Sequence, residues 1–452
     1  MRIIPCRLIL LFIFCFSSQL LSSQKLFEIY KKRDLNKFTS YLKRNPNIIN
    51  DTNYEGATIL HVSTRNNSPN FIKACLDHGA DINAKDKHGT TALMYAARNG
   101  NLSNMNILLS GGADLNLKDK QGQNVLFYCM ENEDVFEFLV NKNTDRNAQD
   151  IYGVSPLMYA IDKGFTGIAQ YLILHGADIR AKDISMETAL FYAADANDSK
   201  IVESLIMKQV EIDVRNVEGQ TPLFFSCLNG NVPITEYLIS KGADIHISDN
   251  TGKTPLIQAC ISKNSAVVDL LISKGANANT RENSGVTALM CAIIEEQFPI
   301  VEILVNHGAD IKGVTNMGDT PLMFACYVGD LSIIKYLLDK GAPVNVKDNV
   351  GLTPLMYFFI NPDTTGVLSS KYLNLNSKSI IEQLLSKGTE INAQDNAGNT
   401  ALMYASDLGL SSLVQFLISL GADPLIKNKD GYMAQDIAND KRFKRIKRYL
   451  KQ

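Results

Sequence analysis

The chain repeats itself every 33 residues, and a period of this length decides the class of fold before any local pattern is read. In most copies a threonine opens a Thr-(Pro/Ala/Ile)-Leu triplet, and we number each copy from this residue, called position 0. The step from Asn124 to Ser155 is 31 residues and the step from Thr353 to Thr400 is 47, so one copy is trimmed and another carries an insertion. The residues at position 0 are Thr58, Thr91, Asn124, Ser155, Thr188, Thr221, Thr254, Thr287, Thr320, Thr353 and Thr400.

Each copy predicts a turn, a short helix, a second turn and a longer helix. In residues 86–118, for example, Gly89 lies in the first turn, and Leu93, Ala96 and Ala97 share one helical face. Glycine supplies the positive φ that such turns need, and alanine lets two helices approach closely. A unit of this size cannot bury its own apolar face, so stacked copies must supply the core.

These copies resemble the ankyrin-repeat family, whose pattern is roughly DxxGxTPLHxAAxxGxxxIVxxLLxxGADxN. The resemblance covers residues 25 to about 450 and implies an all-α repeat solenoid of helix-turn-helix units with projecting β-turn fingers. It also implies a role in protein recognition. The matching motifs are Thr-Pro-Leu at 221, 254, 320 and 353, and Gly-Ala at 79, 112, 176, 242, 275, 308, 341 and 421.

Departures from the pattern mark the ends of the array and two internal positions. We predict an N-terminal cap over residues 24–50, eleven repeats over 51–427 with an extra loop at 361–378, and a C-terminal cap with a basic helix over 428–452. Atypical end copies are expected, because a solenoid must present a polar face at each terminus. Met186 replaces a turn glycine and Gln209 replaces a glycine at a helix end, which makes their local geometry an open question.

Residues 1–23 have the layout of a secretory signal peptide. Two arginines precede an apolar run from Leu8 to Phe16, which is well short of the ~20 residues that span a bilayer. We expect cleavage between Ser23 and Gln24, followed by export to a periplasm or to the outside. An uncleaved tether and a cytosolic chain are the alternatives. No later segment is long and apolar enough to cross a membrane.

Position +4 of the first helix forms an aromatic ladder. At 100° per residue it lies roughly 160° from the face made by positions +2, +5 and +6, which we expect to be buried. Val62, Gln258 and Cys291 interrupt the ladder. Its eight members are Tyr95, Tyr128, Tyr159, Tyr192, Phe225, Phe324, Tyr357 and Tyr404.

Two interpretations of this ladder are open. Each ring could lean against the neighbouring repeat and finger without meeting a partner. Alternatively the rings line the concave side as anchors for an extended peptide or a helical partner, since aromatic residues dominate interface hot spots. The finger tips are a second candidate contact set, because pairs such as Lys87-His88, Ile151-Tyr152 and Asn316-Met317 differ from copy to copy. That variation fits a specific partner and also fits relaxed surface positions.

Composition argues against several other functions. Lys plus Arg number 45 against 47 for Asp plus Glu, so no overall positive charge exists to attract nucleic acid. The histidines do not cluster, and no nucleophile, paired acids or domain outside the repeats offers a reaction centre. We expect no metal, no cofactor and no enzymatic activity.

Six cysteines remain after residue 23, and equivalent positions in neighbouring copies are too far apart for disulfides. We predict buried, unpaired thiols. Exported chains usually pair their cysteines. A bacterial envelope without strong oxidation would remove this conflict, and so would a cytosolic location.

The sequence therefore predicts an exported, bacterial, monomeric scaffold that binds a protein partner along a concave groove. The runner-up is a membrane-tethered adaptor that uses an uncleaved N-terminal segment or the basic C-terminal helix. In that helix Phe443, Ile446 and Leu450 form an apolar stripe, and we expect it to cap the array with its basic side chains in water.

Overall fold

The structure is a computed structural model that describes residue 22 and residues 24–360, 376–440, 446 and 450. The predicted signal segment thus lies almost wholly outside the described residues. Within the described part, all regular elements are helices, and isolated bridges stand in the fingers in place of strands. The protein is an all-α repeat solenoid, as the sequence predicts. It forms two compact units, Met1–Glu211 (unit 1) and Ile212–Gln452 (unit 2).

Unit 1 opens with a helix over 24–31, the helix Leu35–Arg44 and a 3₁₀ turn at Pro46–Ile48, and five copies of the repeat follow. The first helices of these copies are Ile59–Arg65, Ala92–Arg98, Pro156–Asp162 and Ala189–Asp195, with a 3₁₀ turn at Val125–Tyr128 in the third copy. The second helices are Pro69–Asp77, Leu102–Ser110, Glu133–Val140, Thr166–Leu174 and Ser199–Met207.

Unit 2 contains six copies and a closing helix, Ala434–Asp440. Its first helices are Pro222–Leu228, Pro255–Ile261, Ala288–Ile294, Pro321–Val328, Pro354–Phe358 and Ala401–Asp407. Its second helices are Val232–Ser240, Ser265–Ser273, Phe298–Asn306, Leu331–Asp339, Asn376–Ser386 and Ser411–Ser419.

Position 0 is the N-cap of each first helix. Thr91 Oγ1 accepts a hydrogen bond from the Met94 N–H at 3.4 Å, and Ser155 Oγ accepts one from the Met158 N–H at 3.3 Å. Such caps satisfy amide groups that have no partner within the helix. Proline follows at position +1 in five copies, where its missing N–H leaves nothing unpaired.

The core lies between neighbouring copies, on the face that the sequence predicts. Leu93, Ala96 and Ala97 are buried. Successive first helices pack directly on one another, as Pro255–Ile261 does on Ala288–Ile294. Small residues at positions +5 and +6 make this close packing possible.

Within each unit, asparagines at the base of several fingers tie their copy to the next. Asn83 Oδ1 accepts a hydrogen bond from the Asp114 N–H at 2.9 Å, and Asn279 Oδ1 accepts one from the Asp310 N–H at 2.7 Å. The same bond recurs between Asn50 and Asp81, Asn116 and Asp145, Asn147 and Asp178, and Asn392 and Asp423. The final asparagine of the repeat therefore has a structural role in stacking.

The trimmed copy differs from the predicted short helix. Its first helix is reduced to the 3₁₀ turn Val125–Tyr128, because the chain must reach the helix Glu133–Val140 two residues early. The Cys129 thiol then donates to the Leu126 carbonyl at 3.3 Å.

Met186 and Gln209 keep the geometry of the glycines that they replace. Met186 has φ 64° and Gln209 has φ 58°. The Met186 N–H bonds the Asp183 carbonyl at 3.0 Å, which closes the turn as glycine does in other fingers. A left-handed conformation costs an L-residue roughly 1–2 kcal/mol, so Met186 is strained.

The inserted loop is shorter than predicted at its end, because Asn376 to Lys378 already belong to the helix Asn376–Ser386; residues 361–375 lie outside the described residues. At the C-terminus Ala434–Asp440 packs on Ala401–Asp407, and Ile446 and Leu450 are buried. The basic side chains from residue 441 onward lie outside the described part.

Candidate protein-binding surfaces

The aromatic ladder lies on one register of the first helices, and all eight of its side chains are half-buried. They therefore belong neither to the closed core nor to the fully exposed surface. In unit 1 they are Tyr95, Tyr128, Tyr159 and Tyr192, and in unit 2 they are Phe225, Phe324, Tyr357 and Tyr404. Their role in binding stays a prediction.

Five of the ladder tyrosines are held by an aspartate of their own finger, nine residues earlier. The Tyr95 hydroxyl donates to Asp86 Oδ2 at 2.8 Å. Tyr357 also contacts Asp319 of the preceding finger. The other bonds join Tyr128 to Asp119 at 2.6 Å, Tyr192 to Asp183 at 2.9 Å, Tyr357 to Asp348 at 2.8 Å and Tyr404 to Asp395 at 2.6 Å.

The second oxygen of each such aspartate holds the finger turn. Asp86 Oδ1 accepts hydrogen bonds from the N–H groups of His88 at 2.8 Å and Thr90 at 2.9 Å. Asp395 Oδ1 binds the N–H groups of Ala397 and Asn399 in the same way, each at 2.8 Å. One carboxylate thus fixes the turn of the finger and the ring on the first helix.

Electrostatics favours a protonated tyrosine beside an ionised aspartate. Burial, then the hydrogen bond to Asp86, raises the pKa of Tyr95 to about 12. Burial by itself would raise the pKa of Asp86, but the hydrogen bonds from Tyr95, Thr90 and His88 lower it overall. The hydroxyl is therefore a donor and the carboxylate a charged acceptor near neutral pH, which makes this a charge-assisted bond.

Comparison of the ladder copies agrees with a pairing of the two positions. Each of the six ladder tyrosines has an aspartate nine residues earlier, including Tyr159 with Asp150. Neither ladder phenylalanine has an aspartate at that spacing. Asn216 stands nine residues before Phe225, and Thr315 stands nine residues before Phe324. A phenyl ring cannot donate a hydrogen bond, so no charged acceptor is needed. Patterns of single positions do not reveal this pairing, whereas comparison of positions −5 and +4 across the copies does.

Position +7 of the first helices faces the fingers. The Arg65 guanidinium lies 3.1 Å from the Glu55 carboxylate in the finger of its own copy. Arg98 lies over the ring of Tyr128 in the next copy, 4.7 Å from its centroid. First helices and fingers therefore present their side chains to one shared surface within unit 1.

The trimmed copy opens a cleft of about 360 Å³ on this surface. Its walls include the rings of Phe127, Tyr128, Tyr159 and Phe165, together with Arg98. The cleft is open and contains aromatic faces beside one cation, Arg98, and one acid, Glu131. It is a shape that accepts a side chain of a partner rather than a closed catalytic pocket.

Position −4 of each copy lies at the tip of its finger. In most copies of unit 2 this residue is an asparagine whose side chain links the tip to the preceding finger. The Asn283 side chain donates from Nδ2 to the Asn250 carbonyl at 3.0 Å, and Asn316 donates to the Asn283 carbonyl at 2.9 Å. The same bond joins Asn250 to Val217 at 2.9 Å, Asn349 to Asn316 at 3.0 Å and Asn396 to Asn349 at 3.0 Å. We call these five residues the asparagine ladder.

Unit 1 has other residues at the same tips, namely Tyr54, Lys87, Lys120, Ile151 and Ile184. Its fingers keep the backbone link, such as the Ile184 N–H to the Tyr152 carbonyl at 2.9 Å. Their tip side chains are exposed and make no amide bond to the preceding finger.

The cysteines and His61 have structural surroundings in the described part of the chain. All six cysteines that follow residue 23 are buried, and none of them forms a disulfide, as predicted. His61 Nδ1 accepts from the Thr58 N–H at 3.1 Å, and its Nε2 lies 3.0 Å from the Ala84 carbonyl, so its ring joins a helix start to the next finger. Among the described residues no cluster of metal ligands occurs, and no helix has the length and apolar character needed to cross a bilayer.

Comparison with known protein families agrees with the architecture. The family model described as ankyrin repeats (3 copies) matches residues 28–119, 105–183, 190–282, 241–315, 265–348, 312–363 and 349–428. The chain belongs to the ankyrin-repeat family. Ankyrin repeats are generally protein–protein interaction modules, and proteins built from them are typically non-enzymatic scaffolds. A search of curated proteins gives no match.

Proposed function

We propose that this ankyrin-repeat protein is an exported, non-enzymatic, monomeric scaffold that binds a protein partner along the face of its first helices. The repeat family supports a protein partner. The half-buried aromatic ladder is the observation that carries the choice of surface, because aromatic anchors dominate binding energy at protein interfaces.

Preorganisation supports the same choice. The finger aspartates hold five of the tyrosine hydroxyls, so these rings are already ordered before a partner arrives. An ordered ring loses little side-chain entropy on binding. In unit 1 the cleft at the trimmed copy adds a recess into which a partner side chain fits.

Capture of the partner tests this proposal. Tyrosines bonded to aspartate are poor choices for alanine substitution, because the loss of the hydrogen bond would destabilise the finger. We therefore choose Tyr159→Ala and Phe324→Ala, with Tyr237→Ala on a second helix as the half-buried aromatic control. At a temperature where circular dichroism shows all three variants folded, the two ladder variants should reduce capture of the native partner at least tenfold, while Tyr237→Ala should not. Equal capture by all three variants would contradict the proposal.

Export has its own test, which is the intact mass and N-terminal sequence of the native protein from cytosolic, envelope and medium fractions. An N-terminus near Gln24 outside the cytosol is expected. Retention of Met1 in the membrane fraction would favour the tethered adaptor, and retention in the cytosol would reject export.

A further inference from the structure

Four consecutive fingers of unit 1 form a continuous row, which we call the unit 1 finger row: residues 85–90, 118–123, 149–154 and 182–187. Backbone hydrogen bonds join them, from Lys120 N–H to the His88 carbonyl at 2.9 Å, and from Ile151 N–H to the Gln121 carbonyl at 2.8 Å. The tips are therefore held side by side as one surface.

The last two fingers of this row expose large apolar side chains. Ile151 is 54% exposed, Tyr152 55%, Ile184 66% and Met186 43%. Single exposed apolar residues are ordinary, but a contiguous group of this size on a folded chain marks an interaction site.

Met186 shows that this surface is maintained against the preference of the backbone. Every other described finger has glycine at this turn position, where φ is positive. Met186 keeps the same left-handed conformation and exposes its side chain. A glycine at this position would relieve the strain of the left-handed conformation.

The first two fingers of the row are basic. Lys87 and Lys120 occupy their tips, both exposed, and in the part of the chain that the structure describes neither ammonium group has an ion-pair partner. The aspartates of these fingers, Asp86 and Asp119, are already occupied by turn amides and tyrosine hydroxyls. Both carboxylates stay charged, but the two fingers contain four lysines, at positions 85, 87, 118 and 120, against these two aspartates, so a net positive charge remains.

We propose that the unit 1 finger row binds a protein segment in which acidic residues adjoin aliphatic or aromatic residues. The acidic part pairs with Lys87 and Lys120, and the apolar part covers the side chains at 151, 152, 184 and 186. This inference rests on the proposed function only in taking the ligand to be a protein, since it uses a separate set of residues.

The spacing sets the length of the segment. Stacked helices lie about 8–10 Å apart, and an extended chain advances about 3.3 Å per residue. About three residues therefore pass each finger, and about twelve residues reach across all four.

Selection from a displayed library of random 12-residue peptides tests the proposal, with the full chain as bait. Selected peptides should carry Asp or Glu in one half and Leu, Ile, Phe or Tyr in the other. Lys87→Glu with Lys120→Glu should weaken these peptides at least tenfold and should instead select peptides with Lys or Arg. The matched control is Lys73→Glu with Lys200→Glu, which makes the same change of charge on second helices of unit 1 and should leave the selection unchanged.

The apolar half has a test that separates binding from folding. Met186→Gly should raise the melting temperature and weaken the selected peptides severalfold. The control Met207→Ser alters a methionine that is 79% exposed on a second helix of the same copy and should leave affinity unchanged. Unchanged affinity in Met186→Gly would overturn the proposal.

Other outcomes assign the surface differently. Selected peptides that respond to Tyr159→Ala or Phe324→Ala but not to the finger variants would overturn this inference and leave the proposed function standing. A library that yields no binder counts against both. Dimerisation in sedimentation that Ile184→Ser abolishes would replace the proposed segment with a second copy of the chain.

Discussion

The fingers of unit 1 and unit 2 share one backbone design and differ in what their tips do. In both units the tip N–H bonds the preceding finger, as Lys120 does in unit 1 and Asn316 does in unit 2. In unit 2 the asparagine side chain adds a second bond to that neighbour. In unit 1 lysine and isoleucine stand at this position and project outward. The same position therefore stabilises one unit and supplies a surface in the other.

Position +7 of the first helices shows a second difference. All five copies of unit 1 carry a charged residue there, whereas five successive copies of unit 2 carry an apolar or aromatic one. The residues are Arg65, Arg98, Glu131, Asp162 and Asp195 in unit 1, and Leu228, Ile261, Ile294, Tyr327 and Ile360 in unit 2. The two units thus offer surfaces of different polarity, and we expect them to contact chemically different parts of a partner.

Substitution of three of the five residues of the asparagine ladder should have the largest effect on stability. A triple variant, Asn283→Ala, Asn316→Ala and Asn349→Ala, loses three exposed amide bonds worth about 0.5–1 kcal/mol each. We expect unit 2 to lose about 2 kcal/mol, measured by hydrogen exchange of unit 2 amides. Lys87→Ala with Lys120→Ala should change unit 1 by less than about 0.5 kcal/mol. Equal losses would remove the distinction between the units.

Loss of one tyrosine hydroxyl should come next. Tyr95→Phe removes the hydroxyl that donates to Asp86 Oδ2, while Oδ1 keeps its two turn amides, and we expect a loss of about 1.5 kcal/mol. Asp86→Asn should lower the free energy of unfolding by less in the Tyr95→Phe variant than in the wild-type chain. Phe225 and Asn216 of unit 2 already show this combination of residues at the same two positions. A double-mutant cycle in urea measures the coupling, and additive effects would contradict the pairing.

Extension of the asparagine ladder into unit 1 should have a smaller effect on stability, and in the opposite direction. Ile184→Asn places an amide where it can donate to the Ile151 carbonyl, as Asn283 donates to Asn250 in unit 2. We expect a gain of about 0.5 kcal/mol in the stability of unit 1 together with weaker binding of the selected peptides. A gain in stability without loss of binding would show that the tip is not a contact.

The smallest expected effect is a loss of stability at acidic pH. It comes from His61, since the copy that begins at Thr58 is the one copy with histidine at position +3. Burial lowers the pKa of His61 below 6.5, so its neutral form stabilises the fold above that pH and this contribution is lost as the pH falls. From pH 7.5 to 5.5, the protection factors of amides near residues 58–66, that is, their exchange rates relative to the intrinsic rate at each pH, should therefore fall. His61→Met, which copies Met323 of unit 2, should abolish this response. A response that persists in the variant would assign it to another group.

The fold was predictable because its determinants are local and repeated. The 33-residue period, the N-cap at position 0 and the small residues at +5 and +6 each follow from one position in every copy. The confirmed packing of Leu93, Ala96 and Ala97 follows from helical periodicity alone. The lack of disulfides among the six described cysteines followed from the distance between neighbouring copies.

The surfaces were harder to predict because they depend on pairs of positions. The bond between Tyr95 and Asp86 joins two side chains nine residues apart, and single-position patterns do not reveal it. The 3₁₀ turn Val125–Tyr128 depends on how the chain absorbs two missing residues. The backbone conformation of Met186 did not follow from the sequence, because methionine disfavours positive φ. The turn shared with the neighbouring fingers imposes that conformation.

Photo-crosslinking from matched finger positions tests the central claim most directly. Benzoylphenylalanine replaces Tyr152 of unit 1 in one chain and Val350 of unit 2 in another; both lie one residue after a tip, and they are 55% and 51% exposed. Our account predicts that irradiation in the native cell joins position 152 to a partner segment rich in acidic and apolar residues, with little product from position 350. Equal crosslinking from both positions, or crosslinking from position 350 alone, would contradict it.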